Sequence, residues 1–337
     1  MKKIIPAAAI ILLLAGVAFA QTEADFTVTL TKDNTGAVIT KYNGNLAQVR
    51  IPATIQGMPV REIGSGAFIR NNTITSVIIP QGVTIIGSSA FAYASKLVSV
   101  TLPEGLAEIA ESAFTNCPIP AITLPQSLTT LGSNAFSGTA LTTITLPGSV
   151  RFSKEDWDFG RNSGSSAFSN CKNLKTATLL NGLTNIPREM FTSCTALTAI
   201  TLPASITTIG GSAFYGCTAL TAITFPASIT TIGNSAFNGC SALTTITLPA
   251  SITTIGDSAF SKCTALAAIT FPASIRTIGG SAFGGCSALT TVTIPESVKS
   301  IGFDYGFNYG YGAFEGCSKL LLASQAVLRQ VGYEGNF

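Results

Sequence analysis

The sequence repeats about every 23 residues over most of its length, and this period limits the fold more than any other feature. Phenylalanine recurs in Ala-Phe or Met-Phe pairs at intervals of 22 or 23 residues, with two longer intervals of 32 and 31. The eleven positions are Phe68, Phe91, Phe114, Phe136, Phe168, Phe191, Phe214, Phe237, Phe260, Phe283 and Phe314. A unit this short cannot bury its apolar sides alone, but stacked units can. The repeat therefore predicts a solenoid of eleven coils with a continuous column of phenylalanine inside.

The copy that spans residues 194–216 shows what one coil contains. Leu197, Ile200 and Leu202 are spaced so that Ile200 and Leu202 share one face of a short strand. Pro203 ends this strand, because proline cannot donate to a continuing ladder. A second apolar pair at residues 206–209 favours a short second strand. The first strands are predicted at residues 46–51, 74–79, 97–102, 119–124, 141–146, 174–179, 197–202, 220–225, 243–248, 266–271 and 289–294.

The open ends of such a solenoid require caps, since they would otherwise expose apolar core and unpaired strand edges. Residues 26–30 and 37–40 alternate in polarity around a turn, which predicts an N-terminal β-hairpin. Near the other end, Ser324 is predicted to N-cap a helix that runs to about Val331 and stops at Gly332. The fold class predicted is a β-rich solenoid whose parallel strands form one sheet about 50 Å long, at about 4.8 Å per coil.

The repeated unit L-x-x-I-x-L-P-x-x-I-x-x-I-G-x-x-A-F-x-x-C resembles the BspA-like, or Treponema-type, leucine-rich repeats of bacteria. The resemblance covers about residues 46–320 and implies a right-handed leucine-rich-repeat coil. It also implies a secreted or surface protein, because members of this family are mostly exported and some are adhesins for host matrix proteins or other bacteria. The unit departs from the commoner leucine-rich repeats where their asparagine ladder would lie, since Ser205 occupies that place.

The first residues have the pattern of a secretory signal peptide. Lys2 and Lys3 precede an apolar stretch, and Ala18-Phe19-Ala20 is an A-x-A cleavage site. An uncleaved N-terminal anchor is the alternative. The predicted organisation is a signal peptide at 1–20, a β cap at 21–45, a leucine-rich-repeat domain at 46–317 with insertions at about 151–163 and 303–311, and a C-terminal cap at 318–337.

Eight cysteines lie in one register of the repeat. They are Cys117, Cys171, Cys194, Cys217, Cys240, Cys263, Cys286 and Cys317. An even number in an exported chain is typical of a disulfide framework. Equivalent positions in adjacent coils, however, have parallel Cα–Cβ vectors, a poor geometry for an S–S bond, and stacked thiolates do not converge on a metal tetrahedrally. We therefore expect a ladder of buried, reduced thiols and no metal site.

Two insertions interrupt the period, and both fall between the proline and the phenylalanine of their coil. They should therefore project from the same side of the solenoid, about 29 Å apart. Their aromatic and basic residues are of the types enriched in binding hot spots. The candidate partner-binding residues are Arg151, Trp157, Phe159, Arg161, Tyr305, Tyr309 and Tyr311. In the alternative interpretation, the insertions fold back and only cover the solenoid.

Threonine occupies one outward position of the predicted first strand in nine successive coils, beginning with Thr101 and Thr123. The predicted strand-face array is Thr145, Thr178, Thr201, Thr224, Thr247, Thr270 and Thr293. Three interpretations stay open: the β-propensity of exposed threonine, a face that binds protein, and a surface that binds ice.

Composition excludes several functions. With 10% charged residues and a net charge of +3, the chain lacks the clustered basic residues of a nucleic-acid binder. It contains no histidine, which rules out imidazole catalysis or ligation. We predict no enzyme activity and no cofactor. The predicted partner is a protein or glycoprotein, and components of the extracellular matrix are among the candidates. A cell-envelope spacer without a specific ligand is the alternative function.

Overall fold

The computed structural model describes residues 21–152, 165–302 and 312–337, which form a solenoid of eleven coils. The predicted signal peptide lies outside these residues. We number the coils 1 to 11 by their phenylalanines, Phe68 to Phe314. Each coil contains a front segment, which is a strand in every coil except coil 4, a second strand and a turn around its phenylalanine, and side chains from all three fill the interior.

The front strands run parallel in register but are shorter than predicted. They are Gln48–Arg50, Ser76–Ile78, Ser99–Thr101, Thr143–Leu146, Thr176–Leu179, Ala199–Thr201, Ala222–Thr224, Thr245–Thr247, Ala268–Thr270 and Thr291–Thr293. They form separate sheets of three, three, two and two strands. The prediction of one continuous front sheet is therefore wrong.

Coil 4 has no front strand, contrary to the prediction for residues 119–124. In coil 7 the N–H of Thr198, at the start of this segment, donates to the carbonyl of Lys175 in the preceding coil at 2.9 Å. Pro120 stands at the same place in coil 4, and proline has no N–H to donate. Buried Ile119 and Leu124 still face the interior, so coil 4 keeps the packing but not the ladder.

The second strands give the solenoid its more continuous hydrogen bonding, and their prediction is confirmed. They are Met58–Ile63, Ile85–Ile86, Glu108–Ile109, Thr130–Leu131, Arg151–Phe152, Asn185–Ile186, Thr208–Ile209, Thr231–Ile232, Thr254–Ile255, Thr277–Ile278 and Ser300–Ile301. All pair in parallel, in one run from coil 1 to coil 5 and another from coil 6 to coil 11. In coil 1, Thr54–Ile55 also pairs antiparallel with Met58–Ile63.

The turn at the phenylalanine forms a third inter-coil ladder, in which N–H groups donate forward. In coil 7, the N–H groups of Ser212, Phe214 and Gly216 donate to carbonyls of coil 8 at 2.7 to 2.8 Å. Ser212 has φ +54° and Gly216 has φ +70°, both in the left-handed region. Glycine and small polar residues tolerate this conformation better than bulky ones.

The predicted phenylalanine column is confirmed and extends into both caps. Consecutive phenylalanine rings are stacked, with centroids 4.7 to 5.7 Å apart. Phe68 also stacks on Tyr42 of the N-terminal cap at 5.1 Å, and Phe314 meets Tyr333 of the C-terminal cap edge-on at 5.7 Å. One line of aromatic rings therefore continues from cap to cap through the buried core.

The N-terminal cap is a hairpin, as predicted. Strands β1 (Phe26–Leu30) and β2 (Ala37–Tyr42) are antiparallel, and β2 pairs in parallel with the second strand of coil 1. The 3-10 turn Glu23–Asp25 precedes β1. Since β2 lies against coil 1, it covers the edge that the first coil would otherwise expose.

The C-terminal cap is the helix α1 (Leu322–Gln330), but its start differs from the prediction. Ser324 lies inside the helix, and its buried hydroxyl accepts the N–H of Val292 at 3.2 Å. The prediction that Ser324 is the N-cap is wrong, because this hydroxyl satisfies the edge of the last front strand instead. The predicted stop at Gly332 is confirmed, with φ +87° and an N–H that donates to the carbonyl of Arg329.

Candidate functional site

The front strands carry an outward column of threonines, which we call the threonine face (Thr101, Thr123, Thr145, Thr178, Thr201, Thr224, Thr247, Thr270 and Thr293). Thr178 is partly exposed and the others are exposed. The parallel register aligns them directly, so that Thr145 pairs with Thr178, Thr224 with Thr247, and Thr270 with Thr293. The structure thus brings together the threonine array that the sequence predicts.

The hydroxyls of the threonine face have no hydrogen-bond partner within the described chain. Threonines at other positions behave differently. The hydroxyl of Thr198 donates to the carbonyl of Lys175 at 3.2 Å, and that of Thr207 donates to the carbonyl of Thr184 at 3.1 Å. Hydroxyls on the threonine face are therefore free to bond a partner or water.

The first coils replace this pattern with other residues. The column continues as Arg50 in coil 1 and Ile78 in coil 2, and Ile78 is 39% exposed. Val98 adds a second exposed apolar side chain at the start of the coil 3 front strand. This apolar end was not predicted, although both Ile78 and Val98 stand where coil 7 carries a threonine, Thr201 and Thr198.

The inserted loops contribute only one described candidate. Trp157, Phe159, Arg161, Tyr305, Tyr309 and Tyr311 lie outside the described residues. Arg151 is exposed on a second strand, where its Nη1 donates to the carbonyls of Gly148 and Val150 at 3.0 and 2.9 Å. Arg276 makes the equivalent pair of bonds in coil 10. Both bonds of Arg151 are therefore part of the repeat architecture.

A groove of about 930 Å³ lies beside the N-terminal hairpin, and the sequence analysis did not predict it. Lys32, Asp33, Arg61, Glu62 and Glu108 contribute charges of both signs to its lining. Partial burial and the carboxylate of Glu108 raise the pKa of Glu62, with an opposing effect of Lys32. Hydrogen bonds from Thr31 and Thr35 lower the pKa of Asp33 to about 2.

All eight cysteines are free and buried, as predicted. Each cysteine lies three residues after the phenylalanine of one coil. Its thiol donates to the carbonyl of the phenylalanine of the coil before, at 2.9 to 3.3 Å. Burial raises the pKa of Cys171 to about 11 and that of Cys240 to about 12. Because the thiolate is the reactive form, these groups are poor nucleophiles at neutral pH. No cluster of three potential metal ligands occurs among the described residues.

A sequence profile described as "BspA type Leucine rich repeat region (6 copies)" matches residues 61–196, 157–241 and 184–320. The chain belongs to the BspA-type leucine-rich-repeat family. Leucine-rich-repeat families typically act as binding scaffolds rather than as enzymes. No curated protein matches the chain.

Several solved structures are similar to this BspA-type protein. A leucine-rich repeat protein from Bacteroides ovatus is 27% identical, with 88% of this chain and 92% of that chain covered and a TM-score of 0.44. A leucine rich cell surface protein from Faecalibacterium prausnitzii is 27% identical, with 82% and 95% covered and a TM-score of 0.38. The leucine-rich repeat protein of T. pallidum is 23% identical, with 94% and 98% covered and a TM-score of 0.28.

The BspA-type coils of this chain use serine where commoner leucine-rich repeats carry asparagine. The hydroxyls of Ser205, Ser228, Ser251 and Ser274 donate to main-chain carbonyls of the preceding coil at 2.5 to 2.6 Å. A serine ladder therefore ties coils 7 to 10 each to the coil before it, whereas coils 2, 3 and 6 carry Gly82, Gly105 and Gly182 at this position. In the part of the chain that the structure describes, no helix is long and apolar enough to cross a bilayer.

Proposed function

We propose that this protein is exported and binds a protein or glycoprotein partner through its threonine face, as a non-enzymatic adhesin of the cell surface. The observation that carries the proposal is the threonine face itself, an aligned and uncharged column whose hydroxyls are unpaired in the described chain. Interface cores are depleted in charged residues. A rigid surface of this kind also loses little conformational entropy when it binds.

The dimensions of the face indicate that it does not act alone. Eight intervals between Thr101 and Thr293 at about 4.8 Å give a length of about 38 Å, and neighbouring outward side chains along a strand are about 6.6 Å apart. The face therefore offers roughly 500 Å² or less, whereas each partner in a standard interface buries about 800 Å². A specific partner requires further contacts.

The sequence supplies candidates for those contacts in the insertions of coils 5 and 11. Trp157, Phe159 and Arg161 belong to the first, and Tyr305, Tyr309 and Tyr311 to the second. Aromatic side chains provide a large contact area at low entropic cost. We propose that the insertions anchor the partner and that the coils set the distance between them. Because the front strands fall into separate sheets, the face favours such a partner over an ice lattice, which needs an unbroken array.

The test is capture of partners from extracellular matrix and from co-resident bacteria by residues 21–337, which we call the mature chain because removal of the predicted signal peptide would leave them. Thr224→Glu with Thr247→Glu places two charges on adjacent coils of the face, and Ala227→Glu with Ala250→Glu places them on exposed positions of the same coils outside it. We expect the first pair to weaken capture at least tenfold and the second to leave it unchanged. Equal capture by both pairs, or none by the parent chain, would favour the envelope-spacer function.

Deletion of residues 153–161 tests the insertion separately. Loop length alters stability only slowly, so the chain should remain folded by circular dichroism. The proposal expects at least a tenfold loss of binding. If the partner still binds after both insertions are removed, they do not carry recognition.

A further inference from the structure

Charge is segregated on this solenoid by position within the coil. We define the basic edge as the segments that begin two residues after each stacked phenylalanine and lead to the next front strand or, after coil 11, to α1. In coil 7 this segment is 216–221. All eleven segments are described, and none contains aspartate or glutamate. They contain six cations: Arg70, Lys96, Lys172, Lys175, Lys262 and Lys319.

The rest of the coil carries charges of both signs. Between the front strand and the phenylalanine, the described acids are Glu62, Glu104, Glu108, Glu111, Glu189, Asp257 and Glu296. The described cations of the same region are Arg61, Arg151, Arg188, Arg276 and Lys299. Among the described residues of the coils, the acid nearest in sequence to a segment of the basic edge is Glu315, directly after Phe314. Aspartate and glutamate are thus absent from the segments of the basic edge but present in the rest of the coil.

Backbone geometry does not explain this choice of residues. Arg70 has φ +55° and Lys262 has φ +59°, at the position two residues after the phenylalanine. Other coils place Asn116, Asn170 or glycine there, which suit the left-handed region better. Aspartate would also fit this conformation, yet the exceptions are the two cations, Tyr93 at φ +60° and Ser193 at φ +59°. The left-handed conformation itself therefore does not account for the cations at this position.

The six cations are available to a ligand. All are exposed, and the single ion pair among the described residues, Arg188 with Glu189, lies elsewhere. The guanidinium of Arg70 lies 5.8 Å from the ring centroid of Tyr93. Tyr93, within a segment of the basic edge, and Tyr215, directly after Phe214 and one residue before such a segment, are 49% and 44% exposed. Cations are therefore interleaved with accessible aromatic rings.

The spacing selects a long ligand over a small one. At about 4.8 Å per coil, the cations after coils 2 and 5 are about 14 Å apart, and those after coils 5 and 9 about 19 Å apart. Both distances exceed the screening length of about 10 Å at 0.1 M salt. A small anion would contact one group of cations, whereas a polymer with repeated anionic groups would contact all of them and gain by multivalency.

We infer that the basic edge binds an acidic polysaccharide, with carboxylate or sulfate groups on the cations and sugar rings against Tyr93 and Tyr215. Lysine and arginine form charge-assisted bonds to such groups, and tyrosine combines an apolar face with a polar tip. The basic edge borders the threonine face but contains none of its threonines, so the inference is tested separately from the proposed protein partner.

The experiment measures binding of the mature chain to chondroitin sulfate, with dextran as the neutral control, at low and high salt. The edge variant combines Lys96→Gln, Lys172→Gln, Lys175→Gln and Lys262→Gln. The matched control, with the same change in net charge, combines Arg61→Gln, Arg188→Gln, Arg276→Gln and Lys299→Gln. We expect the edge variant to lose at least tenfold in affinity and the control less than twofold.

Tyr93→Ala with Tyr215→Ala separates a polysaccharide from other polyanions. It should weaken chondroitin sulfate binding several-fold and leave any adsorption to phosphatidylglycerol vesicles unchanged. Absence of binding by the parent chain, an equal loss in the two charge variants, or no effect of the tyrosine changes would overturn the inference. Thermal unfolding of each variant verifies that it is folded.

Discussion

Replacement of Phe237 by alanine is the sharpest test of the continuous aromatic column. Phe237 is fully buried and stacks on Phe214 and Phe260, each at 5.1 Å. Phe225 contacts its edge at 5.8 Å. Truncation of a buried phenylalanine costs about 3 to 5 kcal/mol, a range that already contains its packing contacts, and three aromatic neighbours place Phe237 at the upper end of it. We therefore expect a loss of about 5 kcal/mol, at the upper end of the range for alanine substitutions.

Two matched variants separate the ring from its volume. Phe237→Leu keeps an apolar side chain but removes the stacking, so we expect a smaller loss than for alanine. Phe225→Leu introduces the residue that coils 7 and 9 carry at the equivalent position, Leu202 and Leu248, and should cost about 1 kcal/mol. Denaturant unfolding followed by circular dichroism measures all three changes.

Alanine substitutions at the two ends of the phenylalanine column, Phe68 and Phe314, provide a comparison with Phe237→Ala. Phe68 and Phe314 also have aromatic neighbours on both sides, so their burial alone predicts a similar loss. In a solenoid, however, a terminal defect can be relieved by local unfolding of one coil. We expect alanine at either end to affect the main transition less than Phe237→Ala does. If Phe237→Ala shifts the transition no more than Phe225→Leu, the column is not a principal source of stability.

Three further predictions concern the ladders and the N-terminal groove. A thiol reagent at pH 8 should leave the native protein unlabelled and modify eight cysteines after denaturation without reductant, since burial raises the pKa of thiols such as Cys240; fewer reactive thiols would mean that disulfides form. Ser228→Ala should cost about 1 to 2 kcal/mol in denaturant unfolding, because it leaves the carbonyl of Ile206 without its hydroxyl donor; an unchanged transition would show that the serine ladder adds no stability. Glu62→Gln should raise the Tm at pH 7, because the raised pKa of Glu62 means that its charged form opposes folding, and this advantage should vanish as the pH falls below 4.5; the same gain at pH 3 would contradict the assignment.

The sequence predicts the interior of this protein better than its backbone pairing. The period of 23 determines which residues face inward, and the stacked phenylalanines, buried thiols and aligned threonines follow from it. Hydrogen bonding depends on single residues as well. Pro120 removes one donor from coil 4, and the front strand is lost there although Ile119 and Leu124 pack as predicted.

The caps show the same limit. Ser324 is a favourable N-cap residue by type, but its hydroxyl bonds to the last front strand, whose edge has no further coil to pair with. Whether this hydroxyl caps the helix or bonds to the strand depends on tertiary contacts, which the local sequence does not specify. The basic edge was not predicted for another reason. The net charge of +3 does not show that basic and acidic residues are segregated, which becomes visible only when charges are sorted by position within the coil.

The most direct test of the threonine face as a binding surface is hydrogen exchange by mass spectrometry on the mature chain, alone and with a captured partner. The proposal predicts partner-dependent protection of peptides that contain Ala199–Thr201, Ala222–Thr224 and Thr245–Thr247, together with the insertions. Peptides from the turns around the buried phenylalanines should exchange equally in both states. Protection confined to those turns, or to the insertions without the front strands, would contradict it.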